Sequence, residues 1–597
     1  QILCCAQRFG FRVLIDPHQD VWSRFTGGSG APQWTLELAG FDTNNLVSSE
    51  AALVSNTSQI YPSMCWSLNY FRLAAATMFT LFFAGEQFAP LCMVENSESD
   101  RNVKSKRHIQ HELQCCFMDA FCVLAKRIVD TGLSDTCVIG YNVPMNEPSS
   151  GYLGVRNLNA FHSMNVFRTG VMPNLYQGMV LGEGIAQSCA NYKHLSLISI
   201  RKPKNLVLNE HKNRAWQSGR RCIWAEHGVW EFDENGAHKL LKPDYFEKWP
   251  CGEYQGLNVD FADHCWTPFV LEFGQRLRSV HPNSVLFLEQ EPFCKPTSVF
   301  PADASRIVFS PHWYDGITLI SKRWLGFNID LTKAAHQAVS VMDVFLFRFF
   351  SFGKIGIQRV FRYSLKYLRE LGAERFGNSH PCIIGEIGIP FNLTVKPGKL
   401  ERIQSRLVDI HMNALESNLL SFCWWNYAPE NTFECGDHWN GEDLSVVSKS
   451  VDGNWRAHKA LARPFISQTA GTPLSIEFDS SRSRFEYKFE FEMNEESDLP
   501  LLTIIELPSV HYLMENGTID ADIQVDSSAG TESCSFEVKC NSILDIEQNS
   551  LKCLVCHGNL HTEQFSSVEN HRICQVYLYC SAQSREKVQV HVNINKK

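Results

Sequence analysis

The chain contains 597 residues, which is long enough for two or more domains with full hydrophobic cores. Hydrophobic residues make up 44% of it and charged residues 20%, the proportions of an ordinary soluble globular protein. The net charge of −9 and the lack of a basic run exclude nucleic-acid binding, because phosphate recognition requires a basic surface.

The 22 cysteines are scattered through apolar segments and are not spaced as in small secreted domains. They predict buried thiols in a reducing compartment, and we expect an intracellular protein, cytoplasmic or vacuolar, that associates with membranes. The strongly apolar stretch from Leu73 to Gly85 is too short to cross a bilayer, so it predicts a core helix.

Short apolar runs alternate with longer helical segments along the first three quarters of the chain. Six of them predict strands, at roughly 11–16, 137–142, 284–289, 306–310, 381–385 and 419–424. This alternation indicates parallel β/α units, in which functional side chains gather at the carboxyl ends of the strands. Polar and aromatic residues do follow five of the runs: His18, Asp20, Asn146, Glu147, His312, Tyr314, Glu386 and Trp425.

Two of these residues are glutamates at strand ends, Glu147 before Pro148 and Glu386 within Gly385-Glu386-Ile387. Such a pair can hydrolyse a glycosidic bond if one carboxylate attacks and the other carboxyl group protonates the leaving oxygen. Two unrelated acids at the rim of the sheet are the alternative.

About 137 residues separate Glu147 from the run near Val285, several times the length of an ordinary connection. Residues 150–283 of this insertion are rich in aromatics, which could form a small core of their own or a lid over an apolar substrate. The apolar segment Val341 to Phe352 could shape the same entrance or touch a membrane.

From residue 465 to Lys597 the helical pattern gives way to alternation, seen in Phe485, Tyr487 and Phe489 and again in Val590 and Val592. This predicts an antiparallel β-sandwich, residues 465–597, that braces the catalytic region, residues 1–464; binding of sugar by the sandwich is the alternative.

An ordered set of motifs resembles glycoside hydrolase family 5, and within it the endoglycoceramidase-related glycolipid β-glucosidases of fungi, which include glucosylceramidases and steryl β-glucosidases. The motifs are Asp16-Pro17-His18-Gln19-Asp20, Asn146-Glu147-Pro148, Pro311-His312-Trp313-Tyr314-Asp315-Gly316, Gly385-Glu386-Ile387-Gly388-Ile389-Pro390-Phe391 and Trp425-Asn426-Tyr427. The resemblance implies a (β/α)₈ TIM barrel with a C-terminal domain. In the family two barrel strands, the second with an arginine near the nucleophile, precede Phe11, so we expect an incomplete barrel here.

The resemblance also implies residue roles, with Glu386 as nucleophile and Glu147 as acid/base of a retaining reaction. Mutual repulsion is expected to raise the pKa of one carboxyl group, so that Glu147 stays protonated while Glu386 is ionised. Tyr314 would hold Glu386 in its charged form, and Asn146 would donate to the 2-hydroxyl of the sugar. The remaining binding residues would be His18 and Asp20 on other hydroxyls, His312 beside Glu147 or the ring, and Trp425 beneath the glucose ring.

The expected activity is that of a β-glucosidase acting on a membrane glycolipid, either a steryl β-glucoside or glucosylceramide. An endoglycoceramidase that releases an oligosaccharide and a non-catalytic glycolipid-binding protein are the alternatives. No metal or organic cofactor is expected, because two carboxyl groups suffice for this reaction. The expected partners are the glycolipid and a membrane surface, without nucleic acid, and the sequence does not determine an oligomeric state.

Overall fold

The computed structural model describes residues 1–54, 66–96, 105–162, 168–196, 203–291, 294, 296–301, 304–329, 350–377, 380–396, 398–438, 442–492, 501–512, 518–527, 530–539, 549–556, 559–566, 573–581 and 587–596. The helices in these ranges are α1 (Ile2–Arg8), α2 (Gln33–Leu38), α3 (Leu73–Phe88), α4 (Ile109–Asp130), α5 (Leu175–Gly182), α6 (Ile223–Glu226), α7 (Thr267–Val280), α8 (Gly316–Ser321), α9 (Gly353–Phe376), α10 (Leu400–Glu416), α11 (His458–Leu461) and α12 (Ser509–Tyr512). Short 3₁₀ turns span Arg24–Thr26 and Trp66–Phe71, and a π-helical turn, Ala262–Trp266, leads into α7.

The strands fall into two groups. Those of the first three quarters are β1 (Val13–Ile15), β2 (Met93–Glu95), β3 (Lys106–His108), β4 (Val138–Val143), β5 (Arg168–Met172), β6 (Gln187–Ser196), β7 (Lys204–Leu208), β8 (Trp230–Phe232), β9 (His238–Leu240), β10 (Val285–Leu288), β11 (Ile307–Phe309), β12 (Phe327–Ile329), β13 (Phe350–Phe352), β14 (Ile383–Ile387) and β15 (Ser421–Trp424). The C-terminal strands are β16 (Phe465–Gln468), β17 (Thr472–Asp479), β18 (Arg484–Glu492), β19 (Leu501–Pro508), β20 (Thr518–Ser527), β21 (Gly530–Lys539), β22 (Asn549–Cys556), β23 (Asn559–Ser566), β24 (Ile573–Ser581) and β25 (Lys587–Lys596).

A row of parallel strands carries the polar strand ends. β1, β4, β10 and β11 form a parallel sheet in that order, and β14 pairs in parallel with β15. Parallel bridges from Phe309 to Cys382 and from His312 to Glu386 join the two sheets. The six predicted strands are therefore confirmed as neighbours in chain order. No ladder among the described residues joins β15 to β1, so closure into a barrel stays a prediction.

Helix α3 contains the apolar stretch that the sequence predicted to be a core helix. Fourteen of its residues are buried, and it packs against α4 in the main hydrophobic cluster. The predicted core helix is thus confirmed. Within the described part of the chain, no helix has the length and apolar character needed to span a bilayer.

Most of the buried aromatics of the 150–283 insertion belong to this same main cluster and do not form a core of their own, while a lid over the substrate stays a prediction. Trp224 and Trp266 are fully buried; the Trp224 Nε1–H donates to Thr77 of α3 at 3.1 Å, and the Trp266 Nε1–H donates to the Glu289 carbonyl at 2.8 Å. The insertion therefore extends the core of the parallel-strand region. Of the apolar segment Val341 to Phe352, residues 341–349 lie outside the described ranges and 350–352 form β13.

The C-terminal strands form two five-stranded sheets, in the orders β16-β19-β24-β22-β23 and β17-β18-β25-β20-β21. Alternation along β18 matches burial, since Phe485, Tyr487 and Phe489 are buried and pair with Ile594, Val592 and Val590. One pairing differs from the prediction of antiparallel strands, because β22 runs parallel to β24. β22 and β23 form an antiparallel hairpin at the sheet edge, and β24 then pairs with the other side of β22.

Arg463 stands where the parallel-strand region meets the C-terminal strands. It is 6% exposed, and its guanidinium binds Asp409 and Glu416 of α10 and donates to the Phe478 carbonyl of β17 at 3.0 Å. Because a buried guanidinium needs several partners, this contact holds β17 against α10.

Candidate active site

The two glutamates approach each other at the carboxyl ends of their strands. Glu386 lies in β14, and Glu147 follows β4 by four residues with a φ of 39°, a left-handed conformation that a non-glycine residue adopts only at a cost. One carboxylate oxygen of each residue and a ring nitrogen of His312 all lie within 4.8 Å of one another. This spacing resembles that of retaining glycosidases, about 5–5.5 Å, and is shorter than the ~6.5–9.5 Å of inverting ones.

His312 stands between three carboxyl groups. Its Nδ1 lies 3.2 Å from Glu147 Oε1 and 3.7 Å from Glu386 Oε2, while its Nε2 lies 3.2 Å from Glu289 Oε1. Burial by itself would lower the pKa of His312, but the charges of Glu289, Glu386 and Glu147 raise it to about 10. His312 is therefore a cation at neutral pH.

Glu386 accepts a hydrogen bond from the Tyr314 hydroxyl at 2.5 Å. Burial raises the pKa of Glu386 to about 7; the His312 cation opposes this shift and the Glu147 charge adds to it. The sequence predicted an ionised Glu386 at neutrality with the raised pKa on the other carboxyl group. The structure differs because the Glu386 carboxyl is largely buried beside Glu147, and this burial raises its pKa more than the two histidine cations and the hydrogen bond from Tyr314 lower it.

Two contacts hold Glu147 in place. The Tyr70 hydroxyl donates to Glu147 Oε2 at 3.1 Å, and the Glu147 backbone N–H donates to Glu289 Oε1 at 2.6 Å. Tyr70 and Glu289 were not among the predicted site residues. Glu289 directly follows β10 and could have been found by the strand-end criterion that selected Glu147, whereas Tyr70 lies on the 3₁₀ turn before α3 and carries no such signal.

His18, Asp20 and Trp425 lie together at one side of the site. The His18 Nδ1 is 2.9 Å from Asp16 Oδ2, its Nε2 is 3.6 Å from Asp20 Oδ2, and its ring stacks on Trp425 with centroids 4.7 Å apart. Burial would lower the pKa of His18, but Asp16 and Asp20 raise it to about 11, so His18 is a second cation. Asp16 was not predicted as a site residue.

Asn146 does not reach the cavity. It is 1% exposed, and its Nδ2 donates to the Gln19 carbonyl at 2.9 Å and to Asp20 Oδ1 at 3.0 Å. Both amide hydrogens are thus used within the protein. Its side chain joins the loop after β1 to the loop after β4, and the predicted donor to the sugar is directed elsewhere.

A single cavity of about 210 Å³ opens beside the two glutamates. Its polar lining includes residues that were not predicted, among them Tyr70, Glu291 and Glu442, and seven that were: His18, Asp20, Glu147, His312, Tyr314, Glu386 and Trp425. The rest of its wall is largely apolar and comes from the 3₁₀ turn, the loop after β10, α8 and α9: Leu68, Phe71, Pro296, Leu319, Ile320, Leu368 and Leu371. Polar and apolar side chains therefore line the same cavity.

Two carboxyl groups that meet at the carboxyl ends of parallel strands, with a histidine beside both of them, fit a glycoside hydrolase. A family model described as the glycoside hydrolase family 5 C-terminal domain matches residues 463–551. The chain belongs to glycoside hydrolase family 5, in the group that contains glucosylceramidases and steryl β-glucosidases.

Individual relatives support this assignment. A glucosylceramidase from Rhizopus delemar is 34% identical over 550 residues, 88% of this chain and 76% of the relative. An ergosteryl-β-glucosidase from Saccharomyces cerevisiae is 32% identical over 487 residues, 74% of this chain and 60% of the relative. The crystal structure of sterylglucosidase 1 from Cryptococcus neoformans matches with a TM-score of 0.80 and 29% identity, covering 100% of this chain and 82% of that one.

Proposed function

We propose that this protein is a retaining β-glucosidase that removes glucose from a membrane glycolipid, either a steryl β-glucoside or glucosylceramide. The supporting observation is the cavity, whose wall combines two close carboxyl groups and other polar residues with many apolar side chains. A glucose unit suits the polar residues and a lipid aglycone the apolar side chains. The parallel strands would then belong to a (β/α)₈ barrel, with a sandwich formed by residues 465–597.

In the first step, an ionised Glu386 oxygen attacks the anomeric carbon while Glu147 gives its proton to the glycosidic oxygen. The bond to the aglycone breaks, the lipid alcohol leaves, and glucose is held as an ester of Glu386. In the second step, Glu147 takes a proton from water, the hydroxide displaces Glu386, and β-glucose is released. Both glutamates end in their starting protonation states.

The other polar residues would position the sugar. His312 supplies positive charge beside both carboxyl groups, and the Tyr314 hydroxyl stabilises Glu386 as the leaving carboxylate of the second step. His18 and Asp20 would bind hydroxyl groups. Since one face of Trp425 already stacks on His18, the glucose ring would lie against the opposite face.

Incubation with glucosylceramide and with ergosteryl β-glucoside, followed by separation of the products, tests this function. We expect free glucose from at least one lipid, formed first as the β-anomer in ¹H NMR spectra because two displacements retain configuration. Release of an oligosaccharide from a larger glycosphingolipid, without glucose from either monoglucosyl lipid, would favour an endo-acting enzyme. Binding of both lipids without any product would contradict hydrolysis.

We further propose that the protein meets its substrate at a lipid surface through an exposed patch formed just before β12 and where β13 leads into α9. Leu325, Phe352 and Ile355 are 45%, 64% and 75% exposed, and the exposed Arg323 and Arg359 lie close to them in the chain. The Gly353 N–H donates to the Gly326 carbonyl at 2.9 Å, which brings the two segments together. Apolar side chains bordered by cations suit an interface with anionic lipid.

The double substitution Phe352→Ser and Ile355→Ser should weaken cosedimentation with phosphatidylcholine–phosphatidylserine vesicles by about tenfold or more, because each apolar side chain that leaves water contributes ~1.5–3 kcal/mol. Turnover of a water-soluble aryl β-glucoside should not change. The matched control is Val123→Ser, which removes a side chain that is 71% exposed on α4. Equal vesicle binding by the double variant and the control would refute the patch.

The free cysteines support an intracellular location. Fifteen of them lie in the described ranges without a disulfide, and several are buried. Thiols of this kind persist in a reducing compartment.

A further inference from the structure

Glu289 is a fully buried carboxyl group directly behind the two active-site glutamates. Its side chain is 0% exposed, and it does not line the cavity. Oε1 accepts the backbone N–H of Glu147 at 2.6 Å and lies 3.2 Å from His312 Nε2. Oε2 accepts from the Asn142 amide, which also donates to Asp16 Oδ1 at 2.9 Å.

These neighbours all offer hydrogens to Glu289, and none of them accepts one. Glu147 presents an N–H, Asn142 an NH₂ group, and His312 an N–H when its ring is charged. While His312 is charged and carries a hydrogen on both ring nitrogens, a protonated Glu289 would have no acceptor for its own hydrogen among these neighbours. The arrangement therefore fits an ionised Glu289 paired with a cationic His312, although burial raises the pKa of Glu289.

We infer that Glu289 is a positioning residue that acts on both catalytic glutamates, by holding the backbone of Glu147 and by keeping His312 oriented and charged between Glu147 and Glu386. It touches neither the substrate space nor the reacting atoms. This inference rests on the proposed function, because it assigns Glu147 and Glu386 the chemical steps.

The electrostatic consequence passes through His312. The titratable groups that face His312 are Glu289, Glu386, Glu147 and Asp16, and those that face Glu386 are His312, Glu147, His18 and Tyr314, with Cys423 nearby. Burial raises the pKa of Glu386, and of the neighbouring groups His312 lowers that pKa the most. Loss of the Glu289 charge lowers the proton affinity of His312, which in turn raises the pKa of Glu386 above about 7.

The test is the pH profile of kcat/KM for an aryl β-glucoside, measured on the whole chain. The wild-type rate should fall as the pH drops through about 7, because protonated Glu386 cannot attack. In Glu289→Gln, which keeps the shape and removes the charge, this acid limb should move to higher pH by about one unit. Glu289→Asp, which keeps the charge, should bring the limb back towards the wild-type position even if kcat is lower.

Two comparisons separate an electrostatic role from a structural one. Glu112→Gln removes another buried carboxyl group, one that is paired with Arg107 and lies outside the cavity lining, and it should leave the acid limb where it is. In a His312→Gln background, Glu289→Gln should cause no further shift, because the effect passes through His312.

The outcomes also separate this inference from the proposed function. A wild-type protein without glycosidase turnover would defeat the function itself. If the wild type is active and Glu289→Gln lowers the rate equally at every pH, the Glu289 charge does not have the proposed role. The same conclusion would follow if Glu289→Gln moved the acid limb by the same amount in the wild-type and His312→Gln backgrounds. If Glu289→Gln does not fold, the inference is decided by the pH at which the acid limb of kcat/KM lies in Glu289→Asp and in His312→Gln.

Discussion

Glu386→Gln should lower turnover of an aryl β-glucoside by ~10⁴-fold or more, since loss of a nucleophile removes the only route to the covalent intermediate. The amide has nearly the shape of the carboxyl group and can still accept the hydrogen bond from Tyr314, so the fold should persist. Stopped assays and mass spectrometry with an activated 2-fluoro-β-glucoside are the measurements. Wild-type protein should gain the mass of one fluoroglucosyl group, and the variant should gain none.

Glu401→Gln is the matched control, because Glu401 is exposed on α10 and lies outside the cavity. It should retain full turnover and full labelling. If Glu386→Gln were labelled or turned over like this control, the nucleophile would have to be another residue, and a label mapped by peptide sequencing to a different acid would identify it.

Glu147→Ala should slow hydrolysis of the glycolipid by ~10²–10⁴-fold, because a lipid alkoxide is a poor leaving group without a proton donor. A dinitrophenyl β-glucoside should lose much less in its first step, because its leaving group departs without protonation. Steady-state rates on the two substrates measure the difference, and the ratio between them isolates the acid role.

Azide gives an independent check of the same residue. An azide ion needs no general base, so it should attack the glucosyl–Glu386 ester in Glu147→Ala and yield β-glucosyl azide. The wild-type protein should form only glucose. An α-glucosyl azide would contradict double displacement, and equal losses on both substrates without azide product would remove Glu147 from the acid/base role.

The residues at strand ends could be predicted from local pattern. Apolar runs broken by proline or glycine place the next polar side chain at the rim of a parallel sheet, and this criterion gave seven residues that line the cavity. It did not select Glu289, although the residue satisfies the same criterion. It selected Asn146, whose amide is used inside the protein because the loops after β1 and β4 meet there.

The sequence by itself determined the order and type of the parallel strands, the alternation in β18 and β25, and the pair of acids available for chemistry. These depend on neighbours within a few positions of each other, which periodicity records. Only the tertiary structure decided which groups are charged and which apolar side chains share the cavity with them. Glu147 meets Glu289 across 142 residues and Tyr314 meets Glu386 across 72, and both desolvation and Coulomb interactions depend on such distant contacts.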